Sequence, residues 1–374
     1  MFLRKKAFHT LNTVFLDAKA LLHNLHTFQK QHPWVSVFPT IKGNAYGHGI
    51  EAVAKILSTQ KLDYICVDSY FEALKVRKHN KTPILIMGYT LPENYAIMKL
   101  KNFTFFVYDE ASIHALGNLK KHIKIHIKID TGMARQWVKP EQLLTLLQAL
   151  KKYPKLELEG LASHFADADS EENTYSQKQI QLFQTSIEIC QQNGFSLSYT
   201  HIGNTAGTMK FQDTTCNAVR VWIGLYGVNP LSEKDAYFHE GEDLQLVLSL
   251  STTLVAKKQL KKGETVSYNC TYTAPCDMTI GVVPIGYYEA LSRKLSSNYT
   301  LYFQGKPLPI IGRVCMNLCM LDIQWVDISV WESIEVIGRD TQHKNNIYEM
   351  AKRSETIPYE CFTRISETIR REII

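Results

Sequence analysis

The chain has 374 residues, 45% of them apolar, enough for one large core and a smaller second one, so two domains are expected. Its 42 basic and 36 acidic side chains leave a net charge of +6 dispersed along the sequence, too mild for nucleic-acid binding, and no apolar run is long enough to span a bilayer. The eight cysteines show no paired metal-ligand spacing, Cys315 and Cys319, four apart in an apolar strand, read as buried thiols, and Arg4-Lys5-Lys6 has no apolar run behind it, so the expected compartment is the cytoplasm.

In chain order, Thr13–Leu16 reads as an opening strand and Asp17–Gln31 as a helix with apolar positions at Ala20, Leu21, Leu25 and Phe28. Strand-like runs then recur at Val35–Ile41, Asp63–Val67, Pro83–Met87, Phe103–Tyr108, Ile123–Ile129, Leu158–Ser163, Ser198–Ile202 and Ala218–Gly224. Most are separated by amphipathic stretches such as Ile50–Leu57, Glu141–Leu150 and Tyr175–Gln192. Eight strands alternating with helices predict a closed (β/α)8 barrel, with a doubly wound open sheet as the alternative. From Gly241 the rhythm changes to strands with tight turns: Leu244–Ala256, Thr265–Tyr268, Met278–Pro284, Leu301–Gln304 and Ile310–Ile323, punctuated by Lys262-Gly263 and Gln304-Gly305. The expected fold is α/β: a TIM-like barrel over residues 12–240, then a mainly β domain over 241–374 with which residues 1–11 associate.

The most informative stretch is Lys42-Gly43-Asn44-Ala45-Tyr46-Gly47-His48-Gly49, where an apolar strand stops and a glycine-rich turn begins. A lysine at a strand end is commonly a solvated surface cation. At the carboxyl end of a parallel strand, however, its amine stands where such folds gather their chemistry and can form a Schiff base with an aldehyde cofactor. The segment resembles the lysine segment of the alanine racemase family, with Gly43 where that family usually has alanine. The resemblance continues along almost the whole chain. It covers Lys128-Ile129-Asp130-Thr131-Gly132-Met133-Ala134-Arg135, Ser163-His164-Phe165-Ala166, His201-Ile202-Gly203-Asn204-Thr205, and Arg220-Val221-Trp222-Ile223-Gly224-Leu225-Tyr226-Gly227. In the β domain it covers Gly286-Tyr287, Gly312-Arg313-Val314-Cys315-Met316-Asn317 and Thr356-Ile357-Pro358-Tyr359-Glu360.

The resemblance implies that Lys42 carries pyridoxal 5'-phosphate, that Tyr46, Asn204, Thr205, Trp222, Ile223 and Tyr359 hold its phosphate, and that His164 packs by its ring. Arg220 faces the pyridine nitrogen, where a guanidinium donates a hydrogen bond but is too weak an acid to protonate the ring. His201 supports that arginine, Arg135 and Met316 meet the substrate, and Lys128 matches a position carbamylated in some members. Lys42 and Tyr287 are the two catalytic bases, the tyrosine and the methionine coming from a second copy of the chain. The implied protein is a cytoplasmic homodimer with shared sites, without a metal, that interconverts L- and D-alanine and supplies D-alanine for peptidoglycan. Serine, lysine or broad-specificity racemisation is the alternative; a decarboxylase or a non-catalytic cofactor carrier fits the second domain less well. Departures from the family pattern fall at Ala134, Gln136-Trp137, Thr205, Trp222, Tyr288, Glu289, Ala290 and Asn317.

Overall fold

The computed structural model describes residues 9–136, 138–211 and 215–374; Trp137 and the Arg4-Lys5-Lys6 run lie outside the described residues. They form two compact units. One holds Lys19–Ala45 and Val53–Gln245, the other the residues up to Ala18 with Tyr46–Ala52 and Leu246–Ile374.

The first strand, β1 (Thr13–Leu16), belongs to the second unit, where it pairs antiparallel with Leu248–Thr253 and parallel with Arg370–Ile373. The first unit is the barrel expected from the sequence. Its strands are β2 (Ser36–Pro39), β3 (Ile65–Val67), β4 (Ile84–Ile86), β5 (Phe103–Val107), β6 (Ile123–Lys128), β7 (Leu156–Ala162), β8 (Tyr199–His201) and β9 (Ala218–Val221). Strands β3 to β8 form one parallel sheet in sequence order and β2 pairs with β9. A Thr40–Cys66 bridge links β2 to β3, and Arg220 N donates to Gly203 O at 3.1 Å where β8 approaches β9. The strands read as apolar runs because both faces are covered, and the interior is filled by large side chains such as Phe38, Tyr64, Phe106 and Tyr108. Burying a ring like that of Phe38 contributes roughly 2–3 kcal/mol. Several helices that follow a strand begin on a polar cap: Ser69 accepts from Glu72 N, Asp109 from Ser112 N, and Asn204 from Gly207 N. Each such cap is worth about 1 kcal/mol and fixes where the loop above the strand ends.

The second unit is built on a nine-stranded, mainly antiparallel sheet among the described residues. Its turns use the expected glycines, Gly263 and Gly305, at φ +90° and +77°. Three predicted strands are corrected. Ala218–Gly224 stops at Val221, because Trp222 N and Gly224 N turn to donate to Thr205 Oγ1 and Ile223–Tyr226 winds into a 3-10 turn. Leu244–Ala256 divides into Leu248–Thr253 and Ala256–Leu260, as Leu254 N bonds Glu332 O while Val255 N switches to Val282 O. Ile310–Ile323 divides into Lys306–Ile311 and Cys319–Asp322, because Gly312 takes φ +71° and a loop follows. Cys315 therefore lies half-buried in that loop, and only Cys319 of the pair is a buried strand thiol.

In this unit the glycine-rich turn packs on the helix Pro358–Thr363. Gly47 sits at φ +77°, and a Cβ there would fall 1.8 Å from Phe362 O. Gly47→Ala is therefore expected to cost roughly 3 kcal/mol, combining left-handed strain with a backbone clash. A urea melt of the variant against the unmutated protein measures it. Among the described residues no helix is long and apolar enough to cross a membrane, and no three His, Cys, Asp or Glu side chains cluster as a metal site would need.

Candidate active site

Lys42 follows β2 by three residues and enters a turn with a rare backbone: Gly43, Asn44, Ala45 and Tyr46 all have φ between 52° and 62°. Left-handed conformation costs a side-chain-bearing residue about 1–2 kcal/mol, so three such residues in a row need outside support. Glu72 gives part of it. Its Oε1 accepts from Gly43 N at 2.7 Å and Asn44 N at 3.2 Å, while Oε2 accepts from Asp68 N at 2.9 Å. One carboxylate thus ties the lysine turn to the loop above β3.

The Lys42 amine lies 3.5 Å from Asp68 Oδ1 and 4.7 Å from the centre of the Trp222 ring. Burial pushes its pKa down, Asp68 pulls it back up, and Arg135 lowers it further. The amine faces a cavity of about 210 Å³ that Lys128, Arg135, His164, Arg220 and Trp222 also line. Lys128 ends β6 on the inward face. Burial first, then the charges of Arg220, Arg135 and Lys42, bring its pKa down to about 7. Arg135 is presented by a turn in which Asp130 Oδ1 accepts from Gly132 N at 2.8 Å and Ala134 N at 3.1 Å. Ala134 holds φ +54° there, which rationalises a glycine as the commoner family choice.

Arg220, on β9, is fully buried. It donates through Nη2 to Ser163 O at 2.6 Å and approaches His164 Nδ1 at 3.2 Å, and through Nη1 it meets His201 Nδ1. Burial and the arginine's charge push both histidines well below the ordinary imidazole range, so both rings are neutral. His201 stands behind the arginine, outside the cavity lining. Thr205 Oγ1 accepts from Trp222 N at 2.9 Å and Gly224 N at 3.3 Å, and Asn204 caps the short helix Thr205–Lys210. Ile223 is buried in the adjoining 3-10 turn. The Trp222 Nε1–H is buried with no hydrogen-bond partner among the described residues.

The remaining sequence-predicted positions lie in the β-rich unit, in two pairs. Tyr46 and Tyr359 have ring centres 6.0 Å apart. Tyr287 N donates to Cys315 O and Tyr288 N to Met316 O, both at 3.0 Å, so two loops run side by side with Tyr287 and Met316 about half exposed. Gly286 permits that approach, since a Cβ would lie 2.2 Å from Cys315 O. Two of the departures from the family pattern form one contact: Glu289 accepts from Asn317 Nδ2 at 2.7 Å through Oε1 and from Gly286 N at 2.8 Å through Oε2. Sequence reasoning missed Asp68 and Glu72. Ser69-x-x-Glu72 has the spacing of a capping box, which marks Glu72 as a backbone acceptor but gives no hint that it reaches Gly43.

Two family models match, the alanine racemase N-terminal domain over residues 16–230 and the alanine racemase C-terminal domain over 247–373. The alanine racemase of Methanococcus maripaludis is 32% identical over 364 residues, covering 95% of this chain and 96% of that protein. The alanine racemase of Bacillus anthracis, solved with bound L-Ala-P, superposes with a TM-score of 0.90 at 32% identity, over 98% of this chain and 96% of that one. The alanine racemase of Bartonella henselae, solved with covalently bound pyridoxal phosphate, shares the fold at a TM-score of 0.85 and 21% identity, over 98% of this chain and all of that one. With both domain models matched in order and full-length relatives above 30% identity, this chain is an enzyme of the alanine racemase family.

Proposed function

We propose that the chain racemises alanine with pyridoxal 5'-phosphate as cofactor, as a cytoplasmic homodimer that supplies D-alanine for peptidoglycan. The observation that carries this reading is the Lys42 amine at a strand's carboxyl end, sharing one cavity with Arg135 and Arg220. The donor set fits an anionic aldehyde: an amine of lowered pKa, two guanidinium groups, and a buried Trp222 Nε1–H without a partner among the described residues. Lys42 would hold the cofactor covalently. Tyr46, Asn204, Thr205, Trp222, Ile223 and Tyr359 would hold its phosphate, His164 its ring and Arg220 its pyridine nitrogen. When bound, the cofactor supplies an electron-withdrawing ring that acidifies the Cα–H of the amino acid joined to it.

The chain's own residues do the rest. Arg135 offers a planar fork of N–H donors to the substrate carboxylate, and Met316 of the partner subunit closes the substrate pocket. Lys42 and Tyr287 of the partner subunit move a proton to and from opposite faces of Cα. Lys42 must present a neutral amine, and burial favours that form. For the tyrosine the neighbour is His164: its Nδ1 accepts from Arg220, which leaves Nε2–H to donate to the phenol oxygen. Supporting the dimer is the exposure of Tyr287, Tyr288, Met316 and Leu318 together on two adjacent loops, an apolar surface that a second copy would cover. Lys128, with its pKa down to about 7, has a sizeable neutral-amine fraction near neutral pH, and that form can add CO2 and release a proton; the resulting carbamate would place an anion beside Arg135 that holds it.

Assaying the common L-amino acids for D-product tests the reading: alanine turns over fastest if it holds, whereas a preference for serine or lysine selects the alternative. A second expected outcome concerns Arg220. Arg220→Glu places an acid where a permanent donor stood, so the ring nitrogen can be protonated and side reactions gain on proton exchange. Formation of D-alanine should fall on the order of 10²-fold, the scale of losing one pre-aimed donor, while pyruvate release per turnover rises. Unchanged rates of both products would remove the electronic role from Arg220.

A further inference from the structure

Behind Arg220 a run of buried polar groups begins at His201, and the mechanism above uses none of it. His201 Nε2 lies 2.8 Å from His126 Nδ1, and His126 Nε2 lies 3.3 Å from Glu159 Oε2. Glu159, on β7, also accepts from Tyr64 OH at 2.5 Å and, through Oε1, from Lys124 Nζ at 2.6 Å. Lys124, His126 and Lys128 are alternate residues of β6 and share one face of that strand, with His126 in the run and Lys124 beside Glu159. Gly160 makes room for the imidazole, since a Cβ there would fall 2.7 Å from its ring. His126, His201 and Arg220 are essentially without solvent exposure and Glu159 is 4% exposed, so none of them exchanges partners with water freely.

The proton positions follow from the end of the run. His126, His164 and His201 are neutral, each lowered chiefly by burial, and Glu159 is ionised, its hydrogen-bond donors holding it down at about 2 against burial. An ionised carboxylate only accepts. His126 therefore donates from Nε2 and, being neutral, accepts at Nδ1. His201 must then donate from Nε2 and accept at Nδ1, where Arg220 Nη1–H arrives. Every bond points towards Glu159. Were the run reversed, a His201 Nδ1–H would oppose the Arg220 Nη1–H, and the guanidinium would have to turn.

We propose that Glu159 is a positioning residue for Arg220, acting through His126 and His201 by fixing which nitrogen of each ring carries its proton. Its consequence for the cavity rests on the racemase reading above; the tautomers do not. Glu159→Gln is the informative substitution because the Lys124 ammonium, a pure donor, keeps the amide oxygen on its own side. The amide N–H then faces His126 Nε2, and the run is driven to reverse.

The test is ¹⁵N NMR of the histidine-labelled full-length protein, as purified and after removal of cofactor, beside racemase kinetics. In the unmutated protein, His126 and His201 should each be protonated at Nε2 and bare at Nδ1. In Glu159→Gln the His126 proton should move to Nδ1, and kcat should fall about 10- to 100-fold, the range for partners that stand behind a functional ligand. Glu159→Asp, still a pure acceptor, should keep the tautomers and recover most of the rate. Loss of packing alone would lower both variants alike and leave the tautomers where they were. A proton on Nδ1 of either ring in the unmutated protein overturns the proposal even if Glu159→Gln fails to fold, and so does a Glu159→Gln enzyme with unshifted tautomers or an unchanged rate. If the unmutated protein racemises no amino acid, the functional reading fails while the tautomer result stands by itself.

Discussion

Lys42→Ala is expected to carry no covalently attached pyridoxal phosphate and to lose racemisation by on the order of 10⁴-fold or more, since one amine serves both as anchor and as base. Lys128 in the same cavity is the competitor, and by pKa alone it is a strong one, with its amine brought down to about 7. Accessibility decides between them. The Lys42 side chain keeps 28% of its surface open, whereas Lys128 is 4% exposed and stands among three cations. Borohydride reduction of the unmutated enzyme followed by peptide mapping should therefore place the phosphopyridoxyl label on Lys42. A label on Lys128, or one that persists in Lys42→Ala, would reassign the anchor.

The barrel was legible because its strands are covered on both faces and so read as apolar runs, each ending near a polar or glycine-rich stretch. That rule carried Lys42, Lys128, His164 and Arg220 to the cavity or its edge in the expected order along the chain. It failed where a backbone turns for reasons that lie elsewhere. Trp222 leaves its strand because Thr205 accepts its N–H, and Thr205 is remote in sequence. The carboxylates were hidden for the same reason. Asp68 meets Lys42, Glu72 reaches Gly43 and Glu159 meets His126 across loops or between strands, and no spacing within one segment encodes such a meeting. Glu289 and Asn317 show the converse: read separately they are departures, and only the fold makes them one hydrogen bond.

Tyr287→Phe removes the phenol and keeps the ring, so the cofactor should still bind and its absorbance should still respond to substrate. Proton exchange at Cα should then fail for one enantiomer far more than for the other. By the family resemblance the tyrosine serves the L face and Lys42 the D face, and a general base is worth about 10²- to 10⁴-fold. Exchange from L-alanine into deuterated solvent should therefore collapse by that factor while exchange from D-alanine persists. Net racemisation needs both faces and must slow equally in the two directions, because the equilibrium constant between enantiomers is fixed by symmetry. The side chain's half-exposed position on the β-rich unit is what a residue lent to a neighbouring copy would have. Mixing Lys42→Ala chains with Tyr287→Phe chains should thus restore one of the two sites in each mixed dimer, a Lys42 of one subunit facing a Tyr287 of the other. If Tyr287→Phe exchanges both enantiomers at the unmutated rate, the tyrosine is not a base; if mixed dimers form and stay inactive, the site is not shared.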